Sequence, residues 1–359
     1  MATSQFTIYT SADPYGPGPL TGTTGSLITV LDACLVNGYG TGQYTKPAAG
    51  WTKPLGNISA SCVSAYTQPS GSKMTLFVND NATATARTTA VTGWTLLSQL
   101  SGTLNANNVG VGYGQFPLPF QANTVGRVFW YKSATADTVQ RPWIIAADAY
   151  TMYIWFQDGQ SANTYYHGGF GDIYSIAGGV NDLGRCCLFG KYGDNTVTIT
   201  SLESTDCINY GMLNSGAQWF SNYQVGHYLA KNASGTGYPV RYGKKGDSGL
   251  STIGIGNTGE SPYLSVMNGG LPCPNPYDNG IYLAPIYIFD PALSNGTSAS
   301  MRGRYRGIYQ MCHALSNFTN GQIIQGTGTY SGKQFMIIYP GYNAGGWVVE
   351  ISNTVETNS

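Results

Sequence analysis

Charged side chains are scarce in this sequence. Asp, Glu, Lys and Arg make up 9% of the 359 residues, 17 acidic and 17 basic, where an average soluble domain has about 25%. The basic residues form no run; the densest spots are Arg302, Arg304 and Arg306, and Lys244–Lys245. That excludes nucleic-acid binding through a basic face. No apolar stretch reaches the roughly 18 residues that a helical membrane span needs. The opening MATSQFTIYTSADPYGPGPL has neither a basic start nor an apolar core, so no signal peptide is expected. Cysteines are few and odd in number, seven spread over the chain, and the expectation is reduced, buried thiols. No fixed-period repeat occurs.

Glycine (49) and tyrosine (27) are abundant, and Ser, Thr and Asn fill most remaining polar positions. Such a surface is solubilised by hydroxyls and amides. A folded chain with few charges has little self-repulsion and a low desolvation cost when surfaces meet. Tyrosine, a large apolar body with one polar tip, suits such contacts.

The pattern along the chain predicts a mainly β protein: antiparallel sheets, sandwich or barrel-like, with one short N-terminal amphipathic helix and long loops. Residues 1–23 read as an extended arm, with Tyr9 on a short strand pattern and Tyr15 in the breaker run DPYGPGPLTG. In TTGSLITVLDACLVNGYG, Leu27, Val30, Leu31, Cys34 and Leu35 form one apolar helical stripe. Thr24 or Ser26 is the expected cap and Asn37–Gly38 the stop. KPAAGWTKPL (46–55) is a punctuated loop with a Trp anchor. KMTLFVND and ATARTTAVTGW suggest a hairpin, and 24–124 a helix plus small β domain. A larger β domain, 125–359, follows. Within it RPWIIAADAYTMYIWFQDG predicts two apolar strands turning near Ala147–Asp148–Ala149. Residues 201–275 read as a loop-rich insertion.

Motifs with chemical meaning dissolve on inspection. Gly246-Asp247-Ser248-Gly249-Leu250 resembles a serine-protease nucleophile loop, but His167 and His227 have no matching context. Gly254–Gly259 matches G-x-G-x-x-G without the strand and helix that dinucleotide binding requires. Cys186 and Cys187 are adjacent, so on a strand they point to opposite faces and cannot chelate together. Asp148, Asp158, Asp172 and Asp182 could serve glycoside hydrolysis if two of them paired; turn roles account for them more simply. Trp130, Tyr131, Trp143, Tyr153 and Trp155 suit either sugar stacking or a core. The expectation is therefore no catalytic, cofactor or metal residue. Arg302, Arg304 and Arg306 alternate at period two, which on a strand gives one salt-bridged or partner-facing stripe.

Four segments carry a resemblance: LITVLDACLVNGYG with KPAAGWTKP (27–54), VFWYKSATADTVQRPWIIAADAYTMYIWF (128–156), GDIYSI (from 171), and RGRYRGIYQMCHAL with GKQFMIIYPGYNAGGWVVEISNT (302–354). Together they resemble a family of uncharacterised virion-associated structural proteins of tailed bacteriophages. The resemblance covers about half the chain in order. It implies a multi-copy particle component made in the host cytoplasm, at the head–tail neck or collar, on the capsid exterior or at the tail tip. Its partners would be copies of itself and portal, capsid or tail proteins. It implies no enzymatic activity and carries no catalytic residue across. A receptor- or glycan-binding adhesin is the alternative, and a polysaccharide depolymerase the weaker one. The interface candidates are Tyr9, Tyr15, Arg302, Arg304 and Arg306.

Overall fold

The computed structural model describes residues 6–57, 62–80, 88–94, 115–116, 128–132, 137–157, 165–176, 182, 185–190, 227–230, 237–239, 241–244, 272–290, 300–313, 317–338 and 347–351. These residues form three antiparallel sheets. The central sheet runs β1 (Thr7–Thr10), β8 (Trp143–Ala147), β9 (Thr151–Gln157), β10 (Tyr165–Asp172), β12 (Cys186–Phe189), β13 (His227–Ala230) and β14 (Gly237–Pro239). An N-terminal sheet runs β2 (Thr52–Asn57), β3 (Val63–Thr67), β4 (Thr75–Asn79), β5 (Thr88–Trp94) and β6 (Gln115–Phe116), with β7 (Val128–Tyr131) also on β5. A C-terminal sheet runs β15 (Arg241–Lys244), β16 (Leu283–Asp290), β17 (Ser300–Met311), β20 (Trp347–Glu350), β19 (Gln334–Ile338) and β18 (Ile323–Gln325), with β11 (Tyr174–Ser175) on β17.

The central sheet is buried on both faces, which explains its nearly continuous apolar strands. Alternate residues divide between two cores, as the pleat dictates. Trp143, Ile145, Ile154 and Leu188 face one core with the N-terminal sheet and the helix. Ile144, Trp155, Cys187 and Phe189 face the other, with the C-terminal sheet. The architecture is thus stacked open sheets rather than a barrel. The Asp148 turn between β8 and β9 and the β4–β5 hairpin fall where the sequence places them. Cys186 and Cys187 do point into opposite cores.

The helix carries its predicted stripe into the first core, with Ile28 in addition. It is α-helical over α1 (Ser26–Leu31) and widens to a π-helical turn over Asp32–Asn37. Gly38 ends it at φ 72°, where a Cβ would stand 2.8 Å from the Lys46 carbonyl oxygen, so only glycine fits. Capping differs from the expectation. Neither Thr24 nor Ser26 caps the start; the Ser26 hydroxyl donates to the Thr21 carbonyl instead. The cap comes from Asp80 at the end of β4, whose Oδ2 accepts the N–H of Leu27 (2.8 Å) and Ile28 (3.4 Å). A remote carboxylate thus supplies the acceptor that helix starts require. Trp51 is the expected anchor, donating from Nε1 to the Asp148 carbonyl at 2.7 Å.

Two divisions of the chain need correction. Residues 6–23 are not a projecting arm. β1 pairs with β8, and Phe6, Tyr9 and Leu20 are buried in the two cores. The apolar positions of an arm-like sequence found their partner within the same chain. The boundary at 124/125 falls inside the N-terminal sheet, because β7 completes the flank of β5. The described strands of 201–275 add β13, β14 and β15 to the two larger sheets; apart from 272–275, the rest of that stretch lies outside the described residues.

Candidate functional site

Most charged side chains among the described residues are engaged in ion pairs. Eight ion pairs join the described residues, among them Lys46–Asp13, Lys53–Asp32, Lys132–Asp80, Arg185–Asp172, Arg306–Asp148 and Lys333–Glu350. Most connect segments far apart in sequence.

The arginine stripe of β17 is the densest of these clusters. Arg302 pairs with Asp182 at 2.6 Å and donates to the Ser175 hydroxyl at 2.9 Å. The Arg304 guanidinium lies 5.0 Å from the Tyr174 ring centroid. Arg306 sits between the rings of Tyr150 (4.4 Å) and Tyr174 (5.0 Å) and donates to Asp148 at 2.7 Å. Cations over aromatic faces are attracted by the ring quadrupole. Of the two roles the sequence left open, Arg302 and Arg306 realise the salt-bridged one, and Arg306 ties the C-terminal sheet to the Asp148 turn of the central sheet. Arg306 is buried and cannot be an interface residue; nor can Tyr9, whose hydroxyl donates to the Pro47 carbonyl at 2.7 Å inside the core. Arg302 and Arg304 are half-buried.

The carboxylates weighed for glycoside hydrolysis are engaged in the same way. Asp148 Oδ1 accepts the N–H of Tyr150 and of Thr151, both at 2.7 Å, and Oδ2 accepts Arg306. Burial raises its carboxyl above the ordinary value even with Arg306 beside it. Asp172 accepts from the Ser72 N–H (2.9 Å), the Ser72 hydroxyl, Gln68 Nε2 (3.3 Å) and Arg185 Nε (2.6 Å). Their lone pairs are aimed at structural donors. Asp158 lies outside the described residues.

The other chemical candidates are similarly placed. His313 donates from Nδ1 to the Pro272 carbonyl (2.7 Å) and accepts the Tyr282 N–H at Nε2 (2.6 Å), so both ring nitrogens hold a loop. His167 and His227 lie on β10 and β13; Gly246–Leu250 and Gly254–Gly259 lie outside the described residues. Burial pushes the Cys187 thiol up to about 12 and raises that of Cys186, so neither is a ready nucleophile. No group of His, Cys, Asp or Glu among the described residues could hold a metal ion. Trp130, Trp143, Tyr153 and Trp155 are core residues.

What the surface does present is tyrosine. Tyr15 is 69% exposed and Tyr44 46%, with ring centroids 6.1 Å apart. Tyr15 holds φ 58°, a costly conformation for a bulky residue. Two residues before Tyr15, Asp13 accepts from the Thr10 N–H (2.9 Å), the Thr10 hydroxyl (3.0 Å), Lys46 (2.5 Å) and the Tyr39 hydroxyl. Burial opposes the Asp13 charge, but these donors outweigh it and hold the carboxyl below its ordinary value. The Asp13 charge in the turn that carries Tyr15 is therefore paired and hydrogen-bonded within the chain.

A second display is the loop at 275–280. Tyr277 is 96% exposed, yet much of its loop backbone is hydrogen-bonded. The N–H groups of Tyr277, Asn279, Gly280 and Ile281 go to Asn275 Oδ1, the Asn275 carbonyl, Asp278 Oδ1 and Thr327 Oγ1. A preorganised loop loses little entropy when its exposed aromatic is buried by a partner. Sequence reasoning found Tyr15 and missed Tyr44 and Tyr277. A signal was present in part: Tyr277 stands among Pro, Asn and Asp, residues that favour turns over strands, although Tyr39, between two glycines, packs against the first core.

No family model matches this chain, and no curated protein matches it.

Proposed function

We propose that this chain is a non-enzymatic structural subunit, present in several copies, of a tailed-bacteriophage particle. The observation that carries the structural reading is the pairing of most described charges within the chain. An outer surface left with hydroxyls, amides and exposed tyrosines meets other protein surfaces at low desolvation cost. The resemblance of four segments supplies the phage particle, at the neck or collar, on the capsid exterior or at the tail tip. Its expected partners are copies of itself and portal, capsid or tail proteins. A cryo-electron map with mass spectrometry of purified particles tests this. The expected result is the chain in stoichiometric amount, at a copy number set by the particle's rotational symmetry. Particles that lack it would sink the proposal.

The Tyr15–Tyr44 pair favours a second reading, a glycan-binding adhesin, because two neighbouring exposed rings can stack on sugar. Tyr15→Ala with Tyr44→Ala should leave the melting temperature within a few degrees, since both rings are exposed. Under this reading the double variant loses host-cell binding; retained binding would leave the structural reading alone.

A further inference from the structure

The loop at 272–282 has two feet, and one side chain holds both. His313 follows β17 in the chain. Its Nδ1 lies 2.7 Å from the Pro272 carbonyl oxygen, and its Nε2 lies 2.6 Å from the Tyr282 nitrogen. The backbone leaves no choice of tautomer, because a carbonyl only accepts and a peptide N–H only donates. Nδ1 therefore carries the ring proton and Nε2 is bare. The side chain is 0% exposed, so these two backbone groups, rather than water, set its protonation. The tip of the loop is held by its own bonds, from the Asn275 N–H to the Gly280 carbonyl (3.1 Å) and from the Asn279 N–H to the Asn275 carbonyl (2.8 Å). The feet are held from outside. Besides His313, the Thr327 hydroxyl takes the Ile281 N–H (2.7 Å), and the Cys312 N–H donates to the Tyr282 carbonyl (3.1 Å). Between the feet stands Tyr277, almost wholly exposed.

Only a neutral ring fits this arrangement. A proton on Nε2 would aim an N–H at the Tyr282 N–H, two donors with no acceptor, on a buried cation. Leaving such groups unpaired in an interior is costly. The titratable groups that accompany His313 among the described residues are Tyr282 and Asp278 on the loop, Cys273 at the first foot and Cys312 beside it in the chain. The Tyr282 ring centroid lies 6.0 Å from that of His313. Phenols and thiols keep their protons as the pH falls from neutrality. Asp278 stays ionised, because the Tyr282 hydroxyl and the Gly280 N–H hold its carboxyl below the ordinary range. It is exposed, so its attraction for a cation at His313 is screened by water. The clash at Nε2 is direct.

We propose that His313 is a proton-operated latch on the Tyr277 loop. With the ring neutral, both feet are pinned and Tyr277 is presented in a fixed frame. An added proton at Nε2 breaks the bond to Tyr282 and loosens the second foot, while Nδ1–H keeps the Pro272 carbonyl. The proton binds the open loop and not the closed one. The closed form is therefore fully favoured above about pH 7, and loses ground as the pH falls through about 6.5, where a solvated imidazole takes its proton. A partner that buries Tyr277 meets a preorganised loop at neutral pH and must order it in acid.

Hydrogen–deuterium exchange of the full-length chain at about pH 7.5 and about pH 5.5 tests the latch, once each rate is corrected for intrinsic exchange at its pH. Opening of the 272–282 backbone should be about tenfold more frequent at the lower pH, the proton-binding factor one unit below the imidazole midpoint. Strand β9 should show no such change. His313→Gln has no titrating ring, so its loop should open to the same extent at both pH values, however tightly it is held. A wild-type loop that opens alike at both would overturn the proposal, and so would a tenfold rise that persists in His313→Gln. Imidazole nitrogen resonances of the wild type give a check that needs no variant. At neutral pH one ring should carry its proton on Nδ1, the less favoured tautomer in water; no ring in that form would also overturn the latch. Both measurements use the isolated chain, so their failure leaves the particle reading untouched. Absence of the chain from particles would leave the latch standing.

Discussion

Asp80→Ala should lower the unfolding free energy by about 3–5 kcal/mol, the range for stranding one member of a buried ion pair. Asp80 and Lys132 both have 0% of their side chains exposed. The ammonium of Lys132 uses its three protons on Asp80, on the Thr23 carbonyl (2.6 Å) and on the Ser26 hydroxyl (3.1 Å). Removing Asp80 leaves that cation without a counter-charge and uncaps α1, which by itself costs about 1 kcal/mol. Against a typical total of about 5–15 kcal/mol the loss is large. Urea denaturation of the two proteins measures it. The double variant Asp80→Leu with Lys132→Met should recover the part of the loss due to the stranded cation, leaving unreplaced the cap and the two bonds that Lys132 gives to the Thr23 carbonyl and the Ser26 hydroxyl. A single-variant cost under about 1 kcal/mol would mean that Lys132 reaches water on relaxation, and the account would be wrong.

The same pair shows where sequence reading stops. The stripe Leu27, Val30, Leu31, Cys34 and Leu35 was legible because a helix repeats every few residues, and so was the turn at Asp148 between two apolar strands. Periodicity is a local signal. The cap of α1 is not, since Asp80 lies more than fifty residues away along the chain and only the paired sheet brings it there. Period two placed Arg302, Arg304 and Arg306 on one face, but not the tyrosines they would lie against. The exposed positions followed a different logic. Tyr277 was legible in its flanking breakers, while the grip of His313 on Pro272 and Tyr282 was not, because the three meet only once the chain is folded. Scarcity of charge pointed to contact surfaces, yet it hid that most described charges hold the interior together.

Deleting residues 1–20 should abolish cooperative folding, where removal of a projecting arm would leave a folded subunit. Three core side chains leave with the segment: Phe6, Tyr9 and Leu20, each at most 3% exposed. Truncation of a buried Phe or Leu to alanine costs about 3–5 or 2–5 kcal/mol. The three together therefore approach a typical total stability of about 5–15 kcal/mol. The backbone loses as well. β8 gives up its whole pairing with β1, and the Trp143 indole gives up the Gly18 carbonyl it donates to at 2.7 Å. Asp13 leaves with the segment, Lys46 loses both of its acceptors there, Asp13 and the Ile8 carbonyl, and the newly bared edge of β8 is open to aggregation. The expected outcome is a truncated chain that is insoluble, or soluble with near-ultraviolet circular dichroism lost and no sigmoidal melt. A truncated protein that melts within a few degrees of the full chain would show that the cores close without β1.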